Sequence, residues 1–230
     1  MKDVDAELGL RQRKKLRTRA LIAETARQLF VQRGFEAVSV SEIAREAEVS
    51  EATVFNYFPT KEDLVYYGME AFEAELLDAI RNRPAGVSVL DAFGRFVIEP
   101  RGFLAATDKT AQEALIGASR MIAASPTLLN RERQILAGCT EAVAQLLREE
   151  TDAREHDLRP GVVASTLVGL HGTLINYVRR RLLEGPPDVP SLRRELRREG
   201  EKAIDLLRQG LVDYARREPA PSIAVPQKEI

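Results

Sequence analysis

The stretch Ser39–Lys61, SVSEIAREAEVSEATVFNYFPTK, constrains this chain more than any other. Glu42 follows Ser39 by three residues, the reciprocal pattern in which a hydroxyl and a carboxylate each satisfy an orphan amide at a helix start. Ile43, Ala44 and Ala47 then recur at helical spacing and face inward. Glu48-Val49-Ser50 interrupts the run, and Ser50 is suited to cap a second helix. In that helix Val54 and Phe58 point inward, which leaves Ala52, Thr53, Asn56 and Tyr57 facing out. Pro59 ends it, and Thr60 with Asp63 caps the next helix. Two helices this short cannot bury enough surface to stand alone, so they lie on further helices. The pair reads as a helix-turn-helix, whose second helix enters a DNA major groove.

Charge is distributed to match. The 230 residues carry a net charge of -1, so no global excess announces nucleic acid. Between Gly9 and Phe35, however, stand Arg11, Arg13, Lys14, Lys15, Arg17, Arg19, Arg27 and Arg33 against one acid, Glu24, a local net of +7. Such a field concentrates phosphate whatever the whole-chain balance. The opening RQRKKLRTR is too charged to pack and is expected to project from the domain toward the DNA backbone.

Period-two alternation is nowhere sustained, while apolar residues recur at three and four throughout, so every element is read as helix. The first runs over about 12–32, with Leu21, Ile22, Thr25, Ala26, Leu29 and Phe30 as its stripe and Gly34 as its C-terminal stop. A single long helix over 60–83 follows the helix-turn-helix and is the natural link to the rest. Pro84-Ala85-Gly86 is the first strong break. Helices then follow at about 88–99, 109–124, 125–150, 160–183 and 191–217. The division expected is a disordered N-terminus over 1–10, a DNA-binding domain over 11–65, a larger effector-binding and dimerisation domain over 84–217, and a disordered proline-containing tail over 218–230. The fold class is all-α.

Catalysis finds no support. The two histidines, His156 and His171, lie in different elements, and no His-x-x-x-His, Cys-x-x-Cys or glycine-rich phosphate loop occurs, so neither a metal site nor a cofactor is expected. Cys139 sits on an apolar helical face as a small filler. A lone cysteine and an acidic N-terminus without an apolar core are those of a cytoplasmic protein. The uncharged run 161–178 has Ser165, Thr166, His171, Thr173 and Asn176 within it, and reads as a buried or subunit-interface helix, not a membrane span.

The outward face of the second short helix carries the chemistry. Asn56 can read adenine through two hydrogen bonds, and Thr53 can touch a thymine methyl or a phosphate. The Tyr57 hydroxyl and Lys61 suit phosphate oxygens. Beyond these residues, the run Ile22-Ala23-Glu24-Thr25-Ala26-Arg27-Gln28-Leu29-Phe30, Gly34-Phe35, Val40-x-x-Ile43-Ala44, Val49-Ser50, Thr53-Val54-Phe55-Asn56-Tyr57-Phe58 and Lys61-Glu62-x-Leu64 resembles the N-terminal domain of the TetR (tetracycline-repressor) family, over about residues 18–65. The resemblance implies a homodimeric, all-helical regulator with DNA contacts at Ser39, Ser50, Thr53, Phe55, Asn56, Tyr57 and Lys61, joined by Arg13, Lys14, Lys15 and Arg17 of the basic arm. Two positions depart from the pattern: Phe55 stands where Tyr is usual, losing a hydroxyl–phosphate contact, and Ala52 stands where Gly or a basic residue is frequent.

Within the family, RQRKKLRTR and TVFNYFPTKEDL are similar to the branch with acyl-CoA-like ligands, to which the mycofactocin-associated regulator belongs. That implies an acyl-CoA or fatty amphiphile as small-molecule effector. The expected pocket lies among the helices between 88 and 148, with Phe93, Phe96, Phe103, Met121, Ile122 and His171 as candidate lining. The last two long helices are the expected dimer surface. The expected function is that of a ligand-responsive repressor on a pseudo-palindromic double-stranded operator; the alternative is a ligand-independent architectural DNA binder, which needs no pocket of roughly 300 Å³ or more.

Overall fold

The computed structural model describes residues 9–185 and 188–210, except for the side chain of Phe103. Among these residues every regular element is helical: α1 (Leu10–Arg33), α2 (Val40–Glu46), α3 (Glu51–Tyr57), α4 (Met69–Arg81), α5 (Val89–Ile98), α6 (Gly102–Ala105), α7 (Lys109–Ala124), α8 (Pro126–Glu150), α9 (Arg159–Glu184) and α10 (Val189–Gln209), with a short 3-10 turn over Glu62–Leu64. The expected tails fall mainly outside the described residues, as do residues 211–217 of the expected last helix. Gly9 and Leu10, expected within the disordered start, instead open α1.

Two apolar clusters hold the fold. The first joins Ile22, Ala26 and Phe30 of α1 to Phe35, Val38, Ile43, Val54, Phe58 and Leu64. Leu128, from α8, is buried in this same cluster. The second unites α4, α5, α8, α9 and α10 around Leu76, Ile80, Phe93, Val143, Ala164 and Leu196. Each fully buried Leu, Ile or Phe here contributes about 1.5–3 kcal/mol of transfer free energy. On α1 the stripe is turned from its expected position: Leu21 is 53% exposed and Ala23 takes its place inside.

The main correction concerns the link. The expected continuous helix over 60–83 is broken: after the 3-10 turn the chain bends through residues 65–68, and Gly68 adopts φ 97 before α4 begins. A left-handed residue cannot propagate a right-handed helix, and glycine takes that conformation without a Cβ clash. Gly210, at φ 84, caps the described part of α10, its amide bonded back to the Leu207 carbonyl, and residues 211–217 of the expected helix lie outside the described residues.

Helices α5 and α10 interlock through a reciprocal pair of glycines. A Cβ on Gly200 would meet Ile98 Cγ2 at 2.6 Å, and one on Gly94 would meet Ile204 Cδ1 at 2.7 Å. Each helix therefore seats an isoleucine in the other's glycine notch, which brings the two backbones close. Gly200→Val should destabilise the protein by about 1–3 kcal/mol through overpacking; urea denaturation measures it, and an unchanged midpoint would mean that the notch is not filled.

Candidate nucleic-acid interface and effector cavity

The reading head is fixed by local chemistry. Ser39 Oγ accepts from the Glu42 amide at 3.2 Å while the Ser39 amide donates to Glu42 Oε2 at 2.9 Å, completing the capping box. Arg33, in the last turn of α1, donates to Glu42 Oε1 at 2.9 Å and so ties α1 to the start of α2. The Glu42 carboxylate is held down at about 2, first by the Ser39 amide and then by Arg33. At the turn, the Val49 amide bonds the Ala44 carbonyl at 2.9 Å and the Glu48 amide bonds that of Arg45 at 3.2 Å, with Glu48 left-handed at φ 54. The helix C-terminus is thus closed by a left-handed residue without the usual glycine.

Ser50 then caps α3, its Oγ accepting from the Thr53 amide at 3.1 Å and lying 2.8 Å from Thr53 Oγ1. With that hydroxyl engaged, the Thr53 methyl is the group left for a base. Val54 and Phe58 are buried, so Phe55 (47% exposed) and Asn56 project from the opposite face. Tyr57 is half-buried and packs against the head's core. The Lys61 ammonium sits 4.2 Å from the Phe35 ring centroid, a cation–π perch beside the end of α3.

The basic arm is sharper than its composition. Three of the eight cations are compensated within the protein: Arg19 forms two 2.8 Å bonds to Glu70, Arg27 pairs with Glu24, and Arg33 with Glu42. Arg11, Arg13, Lys14, Lys15 and Arg17 have no acidic partner among the described residues, and all lie near the start of α1. Among the described residues they form an uncompensated positive end.

The head is clamped to the body at the elbow between α7 and α8. Leu128 is fully buried in the head's core, and the Tyr66 hydroxyl donates to the Leu128 carbonyl at 2.8 Å. Ser125 Oγ donates to Glu36 Oε1 at 2.9 Å, and Arg131 Nε donates to Asp63 Oδ1 at 2.7 Å. The other oxygen of Asp63 accepts from the Thr60 amide and hydroxyl at 3.0 and 2.8 Å, directly behind the recognition helix. One carboxylate thus connects α8 to the capping turn at Thr60, which follows α3.

On the other side of α7 lies a cavity of about 260 Å³. Its walls are Phe72 of α4, Val97 of α5, Leu104 of α6, Leu115, Ala118, Ser119 and Ile122 of α7, His171, Leu174, Ile175 and Val178 of α9, and Leu196 of α10, with Glu99, Arg101 and Arg179 as charged members. Arg179 is buried and ion-paired to Glu132. Burial pushes the His171 imidazole down to about 4, so it is neutral at physiological pH. Of the expected lining, Ile122 and His171 face this cavity. Phe93 does not: it is fully buried in the body's core. Phe96 stacks edge-on against Phe72 at 5.3 Å, behind the wall. Met121 points the opposite way, into an apolar groove of about 410 Å³ between α1 and α7. The Phe103 side chain lies outside the described residues. Leu115, Leu174 and Leu196 join the lining without any signal in the sequence, because leucine at helical spacing carries no mark of a cavity.

This geometry defines a helix-turn-helix protein with a separate apolar cavity in its helical body. Residues 22–66 match the model of the bacterial regulatory proteins of the tetR family, so this segment is a TetR-family DNA-binding domain. The HTH-type transcriptional regulator TcmR of Streptomyces glaucescens is 39% identical over 84 residues, which span 36% of this chain and only 37% of that protein. A second relative, MftR of Mycobacterium tuberculosis, is named as a putative mycofactocin biosynthesis transcriptional regulator and is 26% identical over 65% of this chain and 73% of its own length. The fold extends further: native NalD, the secondary repressor of the MexAB-OprM efflux pump in Pseudomonas aeruginosa, superposes with a TM-score of 0.51 at 20% identity, covering 81% of this chain and 96% of that one. The relatives are named as transcriptional regulators, not enzymes.

Two measurements check this interface. The Glu42 carboxylate has a depressed pKa, so its contribution to stability is present above the ordinary carboxylate range and lost as pH falls toward about 2. The stability gap between wild type and Glu42→Gln in urea titrations should therefore narrow from pH 5 to pH 3. Replacing Lys14, Lys15 and Arg17 by Ala should weaken binding to every duplex alike and flatten the salt dependence by about 0.9 per lost phosphate contact; Asn56→Ala should instead change which bases are preferred.

Proposed function

We propose that the chain is a ligand-responsive transcriptional repressor, acting in the cytoplasm as a homodimer that leaves its operator when a small apolar or amphiphilic effector fills the cavity. One observation carries this reading. Helix α7 forms a wall of the cavity with Leu115, Ser119 and Ile122, and its continuation through Ser125 and Pro126 delivers Leu128 into the core of the DNA-reading head. Space lies on both sides of α7, since Ala118 borders the cavity and also the groove against α1. An effector that widens the cavity therefore has a direction in which to push α7, and the elbow moves Asp63 and Thr60 behind the recognition helix. The effect equals the ligand's preference for the shifted state over the DNA-bound one.

Helix α9 supports the dimer. It is long and apolar enough to cross a membrane by length and composition, yet Val162, Ser165, Thr166, Gly169, Thr173 and Asn176 form an accessible uncharged face in a protein built around a DNA-reading head. Helix α10 turns Arg194, Arg197, Arg198, Glu201 and Lys202 outward and suits the rim of such a contact. Two copies packed on α9 and α10 make a four-helix bundle and set two heads on half-sites roughly 34–36 Å apart, as a pseudo-palindrome requires.

The sequence resemblance to regulators with acyl-CoA-like ligands fits the apolar wall, although about 260 Å³ admits only the end of an acyl chain and leaves a nucleotide head outside. At about 260 Å³ the cavity is below the roughly 300 Å³ that separates the two readings by size, so its position beside the elbow, and not its volume, favours the effector-responsive reading over an architectural DNA binder. Gel shifts on the intergenic DNA upstream of this gene, with and without aliphatic ligands, test the proposal: the bound ligand should lower operator affinity about tenfold, within the usual range of coupling, and an unchanged affinity at saturation contradicts it. Ser125→Ala should bind effector as wild type does but release the operator less.

A further inference from the structure

One group in the cavity wall is not accounted for by packing. His171 is 9% exposed, its ring is stacked on Phe72 at 4.9 Å between centroids, and its Nδ1, out of reach of solvent, has no hydrogen-bond partner. Sealed off as it is, Nδ1 cannot be reached from the cavity; Nε2 makes no hydrogen bond among the described residues either and is not sealed off, so it is the nitrogen that a molecule in the cavity can reach. The charged members of the wall are already matched. Arg179 is neutralised by Glu132, and Arg101 at the rim lies over the Phe96 ring, donates to Glu75 at 3.3 Å and shares the wall with Glu99. No unmatched cation among the described residues of this wall therefore awaits a carboxylate or phosphate. Size sets a further limit. At roughly 30 Å³ per non-hydrogen atom, the share of a water molecule in the liquid, the cavity of about 260 Å³ holds about nine such atoms.

We propose that this cavity selects an uncharged short-chain aliphatic molecule carrying one hydrogen-bonding group, such as a medium-chain alcohol, with that group held on His171 and the chain lying along Leu115, Ile122 and Leu174. The proposal rests on the cavity's being the effector site and narrows what that effector is. Neutral imidazole donates from one nitrogen and accepts at the other, so it can satisfy a hydroxyl in either sense. A carboxylate would be desolvated without a counter-charge and is disfavoured. A coenzyme A thioester gains only what its chain end contributes.

Calorimetric titration of the full-length protein with heptane, 1-heptanol, heptanoate and heptanoyl-CoA at pH 7 tests this, run beside His171→Leu and His171→Gln. In wild type, 1-heptanol should bind at least about tenfold more tightly than heptanoate. His171→Leu should weaken 1-heptanol about tenfold, the size of one net hydrogen bond plus the group left unpaired, while heptane binds as well as before or better. His171→Gln should recover most of the alcohol affinity. Equal weakening of heptane and 1-heptanol in His171→Leu, tighter binding of heptanoate or heptanoyl-CoA than of the alcohol, or no binding of any probe overturns the assignment. If the alcohol binds as described but leaves operator affinity unchanged, the repressor reading fails and the His171 assignment stands.

Discussion

The burial of Leu128 is the interaction on which the rest depends. A side chain from the body of the protein is fully buried in the core of a small helical head, and Tyr66, Glu36 and Asp63 each bond to the chain around it. A head of this size has few apolar residues with which to hold itself together. It borrows one from α8, so its stability and its orientation are both set by the α7–α8 elbow. Interiors are close-packed and do not stretch, so displacement at the elbow is passed on as a rigid shift.

That arrangement changes which element transmits a signal. A continuous helix from Thr60 would act as a lever between head and body, but Gly68 breaks it and leaves residues 65–68 as a bend. The stiff path instead runs along α7, through Ser125, to Arg131 and Asp63. Helix α7 is also the element with space on both sides. In the proposed mechanism the ligand site, the moving wall and the clamp on the head are joined along one stretch of chain, between Leu115 and Arg131.

Much of this was legible in the residues, and the reason is locality. Ser39 with Glu42, Ser50 with Thr53, and Ser125 with Pro126 announce helix starts through bonds made within three residues, and the structure makes those bonds. The helix-turn-helix, its exposed Asn56, and the limits of α7 and α8 were read in this way, whereas Tyr57, read as outward, is half-buried, and Phe55, not among the residues read as outward, is exposed. Features that depend on distant partners were not legible. Arg19 reads as part of a basic arm until Glu70 is seen against it. Phe93 and Phe96 read as pocket aromatics, yet one fills the core and the other backs the wall, because composition does not say where a void falls between helices. The bend at Gly68 was hidden by apolar spacing that continues across it from Leu64 to Phe72, although the glycine itself was the available sign.

The central claim is that the elbow carries the effector's signal to the head. Amide hydrogen exchange, followed by mass spectrometry on the DNA-free protein with and without a ligand that displaces it from its operator, tests this most directly. The account predicts changed protection in residues 115–131 together with 60–66, while the C-terminal turns of α4 keep theirs. Changes confined to α4, with the elbow unaltered, would contradict it.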